Sequence, residues 1–350
     1  MKRQIQLISI LLAVSVLLFS CGQLPSESTS ATPGSSLTVF FIDVGQADST
    51  LIICDGETML VDGGKASDSD LIYTFLKNHG ITHLNYIVAS HADADHVGGL
   101  SGALNYATVG VALSPVAEHD TRAFNNFVRY LNEQDVSITV PRHGDEFRLG
   151  SATVQIIGPA ASFSDSNNTS IVIRIVYGST SFLLTGDAER VAEQAIIDAR
   201  YDISATVLKV GHHGSETSTT YPFLREIMPE YAVISCGSNN PYGHPHEDTL
   251  SRLRDADVTV FRTDMQGDIT CVSDGSTVTF TVERNADVQT NPTQQNEPQT
   301  EEDHYIGNIN SKKFHRPSCS GLPREDNRIS FNTREAAINA NYDPCGNCKP

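Results

Sequence analysis

HADADHVGGL, residues 91–100, places two histidines and two aspartates within six positions and follows them with two glycines. The apolar run directly before it, LNYIVAS (residues 84–90), is typical of a buried strand. A solvated loop explains single Asp and His residues, but it has no need for two histidines at this spacing. Imidazole and carboxylate groups are the common protein ligands of zinc and of harder divalent ions. The stretch therefore predicts part of a metal site at the end of a strand.

Three further polar clusters follow predicted strands: TGD at residues 185–187, HHGS at residues 212–215 and NPYGHP at residues 240–245. Each has an ordinary explanation alone, as a turn, a surface histidine pair or a loop. Loops at strand ends are also where active sites are built. Four such clusters are hard to explain as independent accidents, so these loops are expected to supply the remaining ligands.

The composition limits the function. The chain has 350 residues and a formal net charge of -18. This acidic excess argues against a protein that binds nucleic acid through a broad basic face. It leaves open an enzyme that holds phosphates through metal ions.

The N-terminus reads as an export signal. Lys2 and Arg3 precede an apolar run at residues 7–19, which is too short to span a bilayer; a membrane anchor helix is the weaker alternative. LFSC at residues 18–21 resembles a bacterial lipoprotein lipobox, which implies lipidation of Cys21. We therefore expect an exported protein, lipid-anchored to the outer face of the cell membrane, with a signal peptide at residues 1–21.

The rest of the chain divides by composition. A flexible tether rich in Ser, Thr, Pro and Gly covers residues 22–36, and a large domain covers residues 37–284. A polar linker without apolar periodicity (residues 285–303) leads to a small module at residues 304–350. We expect the linker to let the module move over the catalytic edge without being part of it.

In the large domain, hairpins alternate with strand–helix units, which indicates two sheets with helices outside. Helices are predicted at residues 69–80 and 190–199 and around residues 221–227 and 248–254. Cys54, Cys236 and Cys271 occur singly in strand-like segments, where a buried free thiol is the default. The sequence does not decide whether two of them form a disulfide.

Seven motifs occur in a fixed order between residues 41 and 246: FIDVGQADST, VDGG, HADADHVGG, NNTSIVIRI, LLTGDAE, LKVGHHGSETS and NPYGHPH. Together they resemble the metallo-β-lactamase-fold hydrolase domain of the ComEC family of competence proteins. The resemblance implies an α/β fold, the αββα sandwich, with a site for two divalent ions, manganese or zinc, at one edge.

The same resemblance implies the ligands. His91 and Asp93 would hold one ion, Asp95 and His96 the other, with Asp187 as the bridge. His212 or His213 would complete the second site, and the sequence does not say which.

Two departures concern the first site. Asp93 stands where the common motif of this fold has a second histidine, and Asn168 lies where a third histidine motif is expected. An oxygen ligand in place of a nitrogen ligand favours manganese or magnesium over zinc. Asp62 is expected to orient a ligand. His244 either protonates the leaving oxygen, or binds the substrate phosphate, or caps a turn.

The C-terminal module carries a second set of candidate ligands. His315 and Cys319 form one close pair, and Cys345 and Cys348 form another, a spacing that fits a closed tetrahedral zinc site. A Cys345–Cys348 disulfide is the alternative, but it leaves the first pair unexplained. The module resembles the Ada-type metal-binding domain, in which all four ligands are cysteines. One structural zinc ion would stabilise so small a core.

Three functions remain open. The first is a surface-tethered, metal-dependent phosphodiesterase or nuclease acting on extracellular DNA, with Asp95, Asp187 and His244 in catalysis. The second keeps the fold and changes the substrate to a cell-wall phosphoester, a small nucleotide or a lactone, since one fold hosts many activities. The third is a non-catalytic binding lipoprotein with a degenerate site. No protein partner is evident from the sequence.

Overall fold

The computed structural model describes residues 36–292, 304–348 and 350. The predicted signal peptide, the lipidation site at Cys21 and nearly all of the tether lie outside these residues. Within the described part of the chain, the model contains no helix of the length and apolarity that crossing a membrane requires.

The large domain contains two sheets. Their strands are β1 (Leu37–Phe41), β2 (Thr50–Cys54), β3 (Glu57–Val61), β4 (His83–Val88), β5 (Thr108–Leu113), β6 (Ile138–Thr139), β7 (Glu146–Leu149), β8 (Ala152–Gly158), β9 (Val172–Tyr177), β10 (Thr180–Leu184), β11 (Val207–Lys209), β12 (Tyr231–Ile234), β13 (Thr259–Arg262), β14 (Ile269–Ser273) and β15 (Val278–Val282). The first sheet has the order β15-β14-β1-β2-β3-β4-β5-β6, and the second has the order β13-β12-β11-β10-β9-β8-β7.

Helices cover the outer face of each sheet. They are α1 (Ser69–Asn78), α2 (Ala94–Val97), α3 (Leu100–Tyr106), α4 (Arg122–Asn132), α5 (Arg190–Ala199), α6 (Tyr221–Ile227), α7 (Glu247–Asp255) and α8 (Thr263–Gln266).

Three apolar layers hold the sandwich together. The two sheets bury Phe41 and Phe182 between them. Phe124 and Phe127 of α4 pack on the outer side of the first sheet, and Phe223 of α6 packs on the outer side of the second. Each sheet therefore has one face against its partner and one face under helices, which confirms the predicted αββα sandwich.

The glycines of the quoted stretch are explained by a close backbone approach. The N–H of Gly63 donates to the carbonyl of His96 at 2.8 Å, and the N–H of Gly99 donates to the carbonyl of Gly64 at 3.0 Å. A Cβ added at Gly99 would collide with the carbonyl oxygen of Gly63. Only glycine allows this approach, so the VDGG and HADADHVGG motifs form one joint that fixes the metal-binding stretch.

The large domain extends beyond its predicted end at residue 284. The Arg254 guanidinium donates to the side-chain carbonyl of Asn291 at 2.6 Å, and Asn291 donates to the carbonyl of Leu250 at 3.0 Å. Thr290 is buried against β13. Residues 285–292, which the sequence assigns to the linker, therefore return to the domain, because their polar side chains bond to α7 and β13 rather than to an apolar core.

The C-terminal module is a small sheet with one helix. Its elements are β16 (Tyr305–Asn308), β17 (Lys313–His315), β18 (Arg328–Phe331), α9 (Arg334–Asn339) and β19 (Asp343–Pro344), and the strand order is β18-β16-β17-β19. Phe314, Phe331, Ala337 and Tyr342 form its buried core.

The module is docked on the large domain, contrary to the expectation of an independently moving unit. Asp343 pairs with Arg190 of α5 at 2.6 Å. Arg334 of α9 pairs with Asp255 of α7 at 2.6 Å. A linker's composition predicts its flexibility, but it does not reveal charge pairs between residues distant in sequence.

Candidate metal centre

The polar clusters meet at one edge of the sandwich. His91 follows β4 of the first sheet, whereas Asp187, His213 and His244 follow β10, β11 and β12 of the second. These three strands are parallel neighbours, so their carboxyl ends point to the same edge. The chain thereby brings side chains from both sheets to one place.

A first group consists of His91, His96 and Asp187, whose ligand atoms all lie within 4.8 Å of one another. The Nε2 atoms of His91 and His96 lie 3.9 Å and 3.4 Å from Oδ2 of Asp187. Asp93 adds a partly exposed carboxylate, with Oδ2 3.7 Å from Nε2 of His91. Its Oδ1 accepts a hydrogen bond from the Ser166 hydroxyl at 2.7 Å. Two imidazoles and two carboxylates thus surround one position.

A second group consists of Asp95, His96 and His213, again within 4.8 Å. Nε2 of His213 lies 3.7 Å from Oδ2 of Asp95 and 3.7 Å from Oδ2 of Asp187. Asp187 therefore faces both groups, which is the position that a bridging carboxylate requires.

The structure separates the two adjacent histidines, which the sequence leaves equivalent. His213 is buried and lies with Asp95, as the second group requires. His212 is partly exposed; its Nε2 lies 3.8 Å from Asp187, and its Nδ1 lies 3.1 Å from Oε1 of Glu189. His213 is thus the histidine that completes the second group, while His212 approaches the shared carboxylate outside that group.

Five buried polar atoms at this centre have no hydrogen-bond partner: Nε2 of His91, His96 and His213, and Oδ1 of Asp48 and Asp187. Buried polar atoms are nearly always satisfied, because each unsatisfied one costs free energy. Nitrogen and carboxylate oxygen are also the donor atoms that divalent ions take. The residues present therefore fit the metal ions that the sequence predicts.

The opposite ring nitrogens are already fixed. Nδ1 of His96 lies 2.9 Å from Oδ2 of Asp62, and Oδ1 of Asp62 accepts the N–H of Ser90 at 2.7 Å. Coordination through Nε2 leaves Nδ1–H free to donate to such a carboxylate, which sets the ring orientation. Asp62 is therefore placed for the orienting role expected from the VDGG motif.

Nδ1 of His213 lies 3.1 Å from the carbonyl oxygen of Ser235, its hydrogen-bond partner. The Asp48 carboxylate lies beside the same nitrogen, and sequence reasoning missed it. Its Oδ1 lies 3.2 Å from Nδ1 of His213, and its Oδ2 accepts from Nζ of Lys209 at 2.8 Å. Despite burial, Lys209 and His213 hold the pKa of Asp48 below its usual range. The available signals were the Asp in FIDVGQADST and a lysine at the end of the apolar run preceding GHHG. Only the fold shows that these residues pair.

The charges at the centre are balanced by the histidines when no metal is bound. Burial lowers the pKa of the His213 imidazole, but the Asp187 and Asp48 carboxylates outweigh burial and raise it to about 9. Burial acts in the same direction on His96, whose pKa Asp187 and Asp62 raise well above its usual value. Burial also raises the pKa of Asp187, yet His96 and His213 hold it well below the usual range. Binding of divalent ions would replace these protons.

Asn168 does not act as a substitute for the missing histidine in this arrangement. It is buried, its side-chain oxygen accepts the N–H of Glu189 at 3.2 Å, and its amide nitrogen donates to Asp165 at 3.2 Å. These bonds hold the loop after β10, so Asn168 shapes the site without lying in either ligand group.

His244 lies beside the centre, with its ring centroid 5.4 Å from that of His212 and its Nδ1 3.1 Å from Nε2 of Gln46. Burial, together with His246 and His212, lowers its pKa to about 4. The turn around it is held by Asn240, whose side chain bonds both the N–H and the carbonyl of His244. The His244 imidazole is therefore not needed to cap this turn.

The second ligand set also converges. His315, Cys319, Cys345 and Cys348 place one ligand atom each within 4.8 Å of one another, and the three cysteines are free thiols in the described structure. The N–H groups of Gly321 and Arg316 donate to the sulfurs of Cys319 and Cys348, each at 3.4 Å. Three thiols and one imidazole gathered this closely are a ligand set that zinc commonly takes.

Comparison with known proteins identifies the fold family. Residues 42–238 match the family model of the Metallo-beta-lactamase superfamily. This chain belongs to the metallo-beta-lactamase superfamily. Residues 289–350 match the family model of the Metal binding domain of Ada, which confirms the resemblance seen in the module's sequence.

The relatives of this superfamily member include proteins named for competence and recombination. ComE operon protein 3 of Bacillus subtilis is 32% identical over 250 residues, which cover 66% of this chain and 32% of that protein. Competence protein ComA of Neisseria gonorrhoeae is 30% identical over 69% of this chain and 33% of its own length. Recombination protein 2 of Haemophilus influenzae is 32% identical over 65% of this chain and 28% of its own length. The chain thus spans about a third of the length of the curated relatives it matches.

Among solved structures, the metallo-beta-lactamase fold protein YhfI from Bacillus subtilis superposes with a TM-score of 0.45, at 14% identity, over 70% of this chain and 100% of that one. The sequence relatives, independently of this superposition, confirm the ComEC-like resemblance stated from the motifs. The chain therefore combines a metallo-beta-lactamase-superfamily domain with an Ada-like metal-binding module.

Proposed function

We propose that this chain is a surface-tethered phosphodiesterase that cleaves extracellular DNA with two divalent ions. The observation that carries the proposal is the convergence of the unpartnered Nε2 atoms of His91, His96 and His213 on Asp187. Two divalent ions held by these residues would supply a water activated for attack and positive charge for the oxygens of a phosphodiester.

The chain's own residues divide the work. His91 and Asp93 would hold one ion, and Asp95, His96 and His213 the other, with Asp187 between them. Asp62 orients the ring of His96 through its Nδ1 atom. The Ser235 carbonyl orients the ring of His213 in the same way, with the Asp48 carboxylate beside it. His244, next to His212, would bind the substrate phosphate as a neutral imidazole. Its pKa of about 4 leaves little of the protonated form that donation to the leaving oxygen needs.

An exposed aromatic side chain supports a nucleotide substrate. Tyr242 has 64% of its surface exposed, and its ring stacks on His244 with centroids 5.6 Å apart. The amide side chain of Asn240 accepts the N–H of Tyr242 at 3.1 Å and so fixes the loop that presents it. Stacking on aromatic side chains is how single-stranded nucleic acid is commonly held. Relatives named for competence and recombination support the same substrate class.

The net charge of -18 sets a further expectation for the substrate complex. Without a broad basic face, the protein gains little from releasing counterions along a duplex. We therefore expect weak DNA binding and a dependence of DNA affinity on the bound ions.

The test is a substrate panel on purified protein whose metal content has been measured. The metal-free protein is reloaded with one ion at a time and assayed on single-stranded DNA, double-stranded DNA and bis-p-nitrophenyl phosphate. Tyr242→Ala should raise KM for single-stranded DNA. The matched control Tyr242→Phe, which keeps the aromatic ring, should have a KM near that of the wild type. If only a lactone is hydrolysed, or no phosphodiester is cleaved with any ion, the proposal is wrong.

Tethering is tested separately. The full chain expressed in a bacterium should incorporate a labelled fatty acid and fractionate with membranes, and Cys21→Ala should abolish both. Labelling that is unchanged in Cys21→Ala contradicts the anchor at this residue.

A further inference from the structure

We propose that Asp343 of the C-terminal module and Arg252 of α7 are positioning residues for the histidine pair, so that folding of the module sets the geometry of the hydrolase metal centre. The proposal concerns metal binding at the centre and does not depend on which substrate is cleaved. It goes beyond a purely structural role for the module's metal.

The histidine pair needs external support because its backbone is unfavourable. His212 and His213 have φ values of 49° and 53°, in the left-handed region that disfavours residues with a Cβ. Thr219, which ends the same segment, has a φ of 53°. Such conformations persist only where surrounding contacts hold them.

Arg252 supplies these contacts from below the segment. Its side chain is fully buried. One terminal nitrogen donates to the carbonyls of Ser218 and Thr219 at 2.7 Å and 3.2 Å, and the other donates to the carbonyl of Glu216 at 2.8 Å. A single guanidinium thus fixes three backbone carbonyls immediately after the histidine pair.

Glu193 of α5 holds the same segment by its N–H groups. Its carboxylate accepts the N–H of Thr219 and, at 3.0 Å, the N–H of Thr220. A further hydrogen bond joins the segment to the start of α5, where the N–H of Arg190 donates to the carbonyl of Thr217 at 3.0 Å. The segment is therefore held by α5 and α7 together.

Asp343 joins these two helices from the module. One of its oxygens accepts from the Arg190 side chain at 2.6 Å, and the other lies 4.0 Å from Nε of Arg252. That Nε atom is buried without a hydrogen-bond partner. Asp343 is itself 3% exposed. A buried guanidinium needs a nearby carboxylate, and Asp343 completes the pair only when the module is docked.

The module's metal ligands fix the position of Asp343. It lies on β19, two residues before Cys345, and its strand pairs with β17, which ends at His315. An ion held by the two pairs of ligands would join these strands. Loss of the ion is then expected to release Asp343 and so to remove one of the carboxylates that face Arg252, leaving Glu193 and Asp248. The weaker charge balance would loosen the segment that Arg252 holds.

The experiment uses the full chain and the substitution Asp343→Asn. Asp326→Asn, an exposed aspartate of the same module, is the matched control. Hydrogen–deuterium exchange of residues 215–220 should be faster in Asp343→Asn than in wild type and unchanged in the control. Exchange in α4, on the opposite sheet, should not change in either. Manganese affinity at the hydrolase centre should fall by about tenfold, as for other residues that orient metal ligands.

Two variants complete the test. Asp343→Glu keeps the charge and should restore part of the protection, whereas a residue with a merely steric role would not be rescued by a longer carboxylate. If Asp343→Asn also loses the module's metal, residues 215–220 must still exchange faster than in wild type. The Asp343 carboxylate beside Arg252 is then missing both through the substitution and through loss of the metal. Wild-type protection of residues 215–220 and wild-type manganese affinity in Asp343→Asn overturn the proposal. Unchanged exchange in Arg252→Lys overturns the part played by Arg252.

Discussion

At the scale of single residues, Asp187 is the centre of the site. Its Oδ2 lies 3.4 Å, 3.9 Å, 3.8 Å and 3.7 Å from the Nε2 atoms of His96, His91, His212 and His213. Asp187→Asn keeps the shape of the side chain but removes the negative charge that would neutralise the two divalent ions. We expect metal affinity and phosphodiester turnover to fall by more than about 100-fold, beyond the effect of losing an orienting residue. Isothermal titration with manganese and the substrate panel measure both; a folded variant with near wild-type turnover contradicts the site.

Metal preference is also decided by single residues. Asp93 contributes an oxygen where a nitrogen is usual, and Asn168 is occupied by Glu189 and Asp165 rather than by the centre. We expect manganese to restore activity to metal-free protein better than zinc does.

The matched variant Asp93→His should move the preference of the centre toward zinc. Titrating each ion into the metal-free proteins gives the comparison. Reactivation of the wild type by zinc alone would show that the oxygen ligand does not set the preference.

The metal-free protein should lose stability as the solution becomes alkaline. The folded pKa of His213 is raised to about 9, above the value of roughly 6.5 for an unfolded chain. Protonation of this ring therefore stabilises the fold fully below about pH 6.5, and that contribution disappears as the pH rises through about 9.

Denaturant unfolding of metal-free protein at pH 6.5 and pH 9 measures the effect. Metal-saturated protein is the control, because ligated imidazoles carry no such proton and the loss should be smaller. Equal stability of the metal-free protein at both pH values would mean that His213 is not stabilised as a cation.

At the scale of elements, local patterns predicted the helices well and the contacts between them poorly. The predicted helix at residues 190–199 is α5, and the predicted helix at residues 221–227 is α6. Strand β6 covers only Ile138–Thr139, at the edge of its sheet, where a single neighbouring strand supports it. Periodicity reports one element's faces, whereas the Asp48–Lys209 and Glu193–Thr219 contacts join residues far apart in sequence, so no local pattern contained them.

The joint between α2, α3 and the loop after β3 gives a prediction at this scale. In Gly99→Ala the new Cβ would meet the Gly63 carbonyl, and the backbone of the metal-binding stretch would have to shift. We expect a loss of about 1–3 kcal/mol in the free energy of unfolding, as for overpacking elsewhere, together with weaker metal binding.

Gly80→Ala separates backbone strain from collision. Gly80 has a φ of +67° but open space around a new Cβ, so only the strain remains, and metal binding should be unchanged. If Gly99→Ala binds metal as tightly as Gly80→Ala does, the close approach does not control the site.

At the scale of the whole molecule, the two domains were predictable but their attachment was not. Four metal-ligand residues, in two close pairs between His315 and Cys348, indicated the module, and the family match confirmed it. Docking depends on Asp343, Arg190, Arg334 and Asp255, each of which looks like an ordinary surface charge in the sequence. The composition of the linker therefore suggested a module that moves relative to the large domain, whereas ion pairs hold the module against that domain in the structure.

In the module, zinc binding and disulfide formation compete for the same cysteines. Cys319 and Cys345 have sulfurs 4.0 Å apart, while Cys54, Cys236 and Cys271 are buried in the large domain. Outside the cell, a thiol pair without metal is open to oxidation. Diamide should therefore form a Cys319–Cys345 disulfide faster in metal-free protein than in zinc-loaded protein. Alkylation of the remaining thiols followed by mass spectrometry measures the difference.

Cys236→Ser is the control and should leave this difference intact; equal oxidation with and without zinc would contradict it. Oxidised protein should then fail to bind zinc at this site, because the disulfide removes two of the four ligand groups. On the proposed export route, the module would have to bind zinc before Cys319 and Cys345 are oxidised to each other, and the zinc available at that stage would set the fraction of molecules with a metal-loaded module.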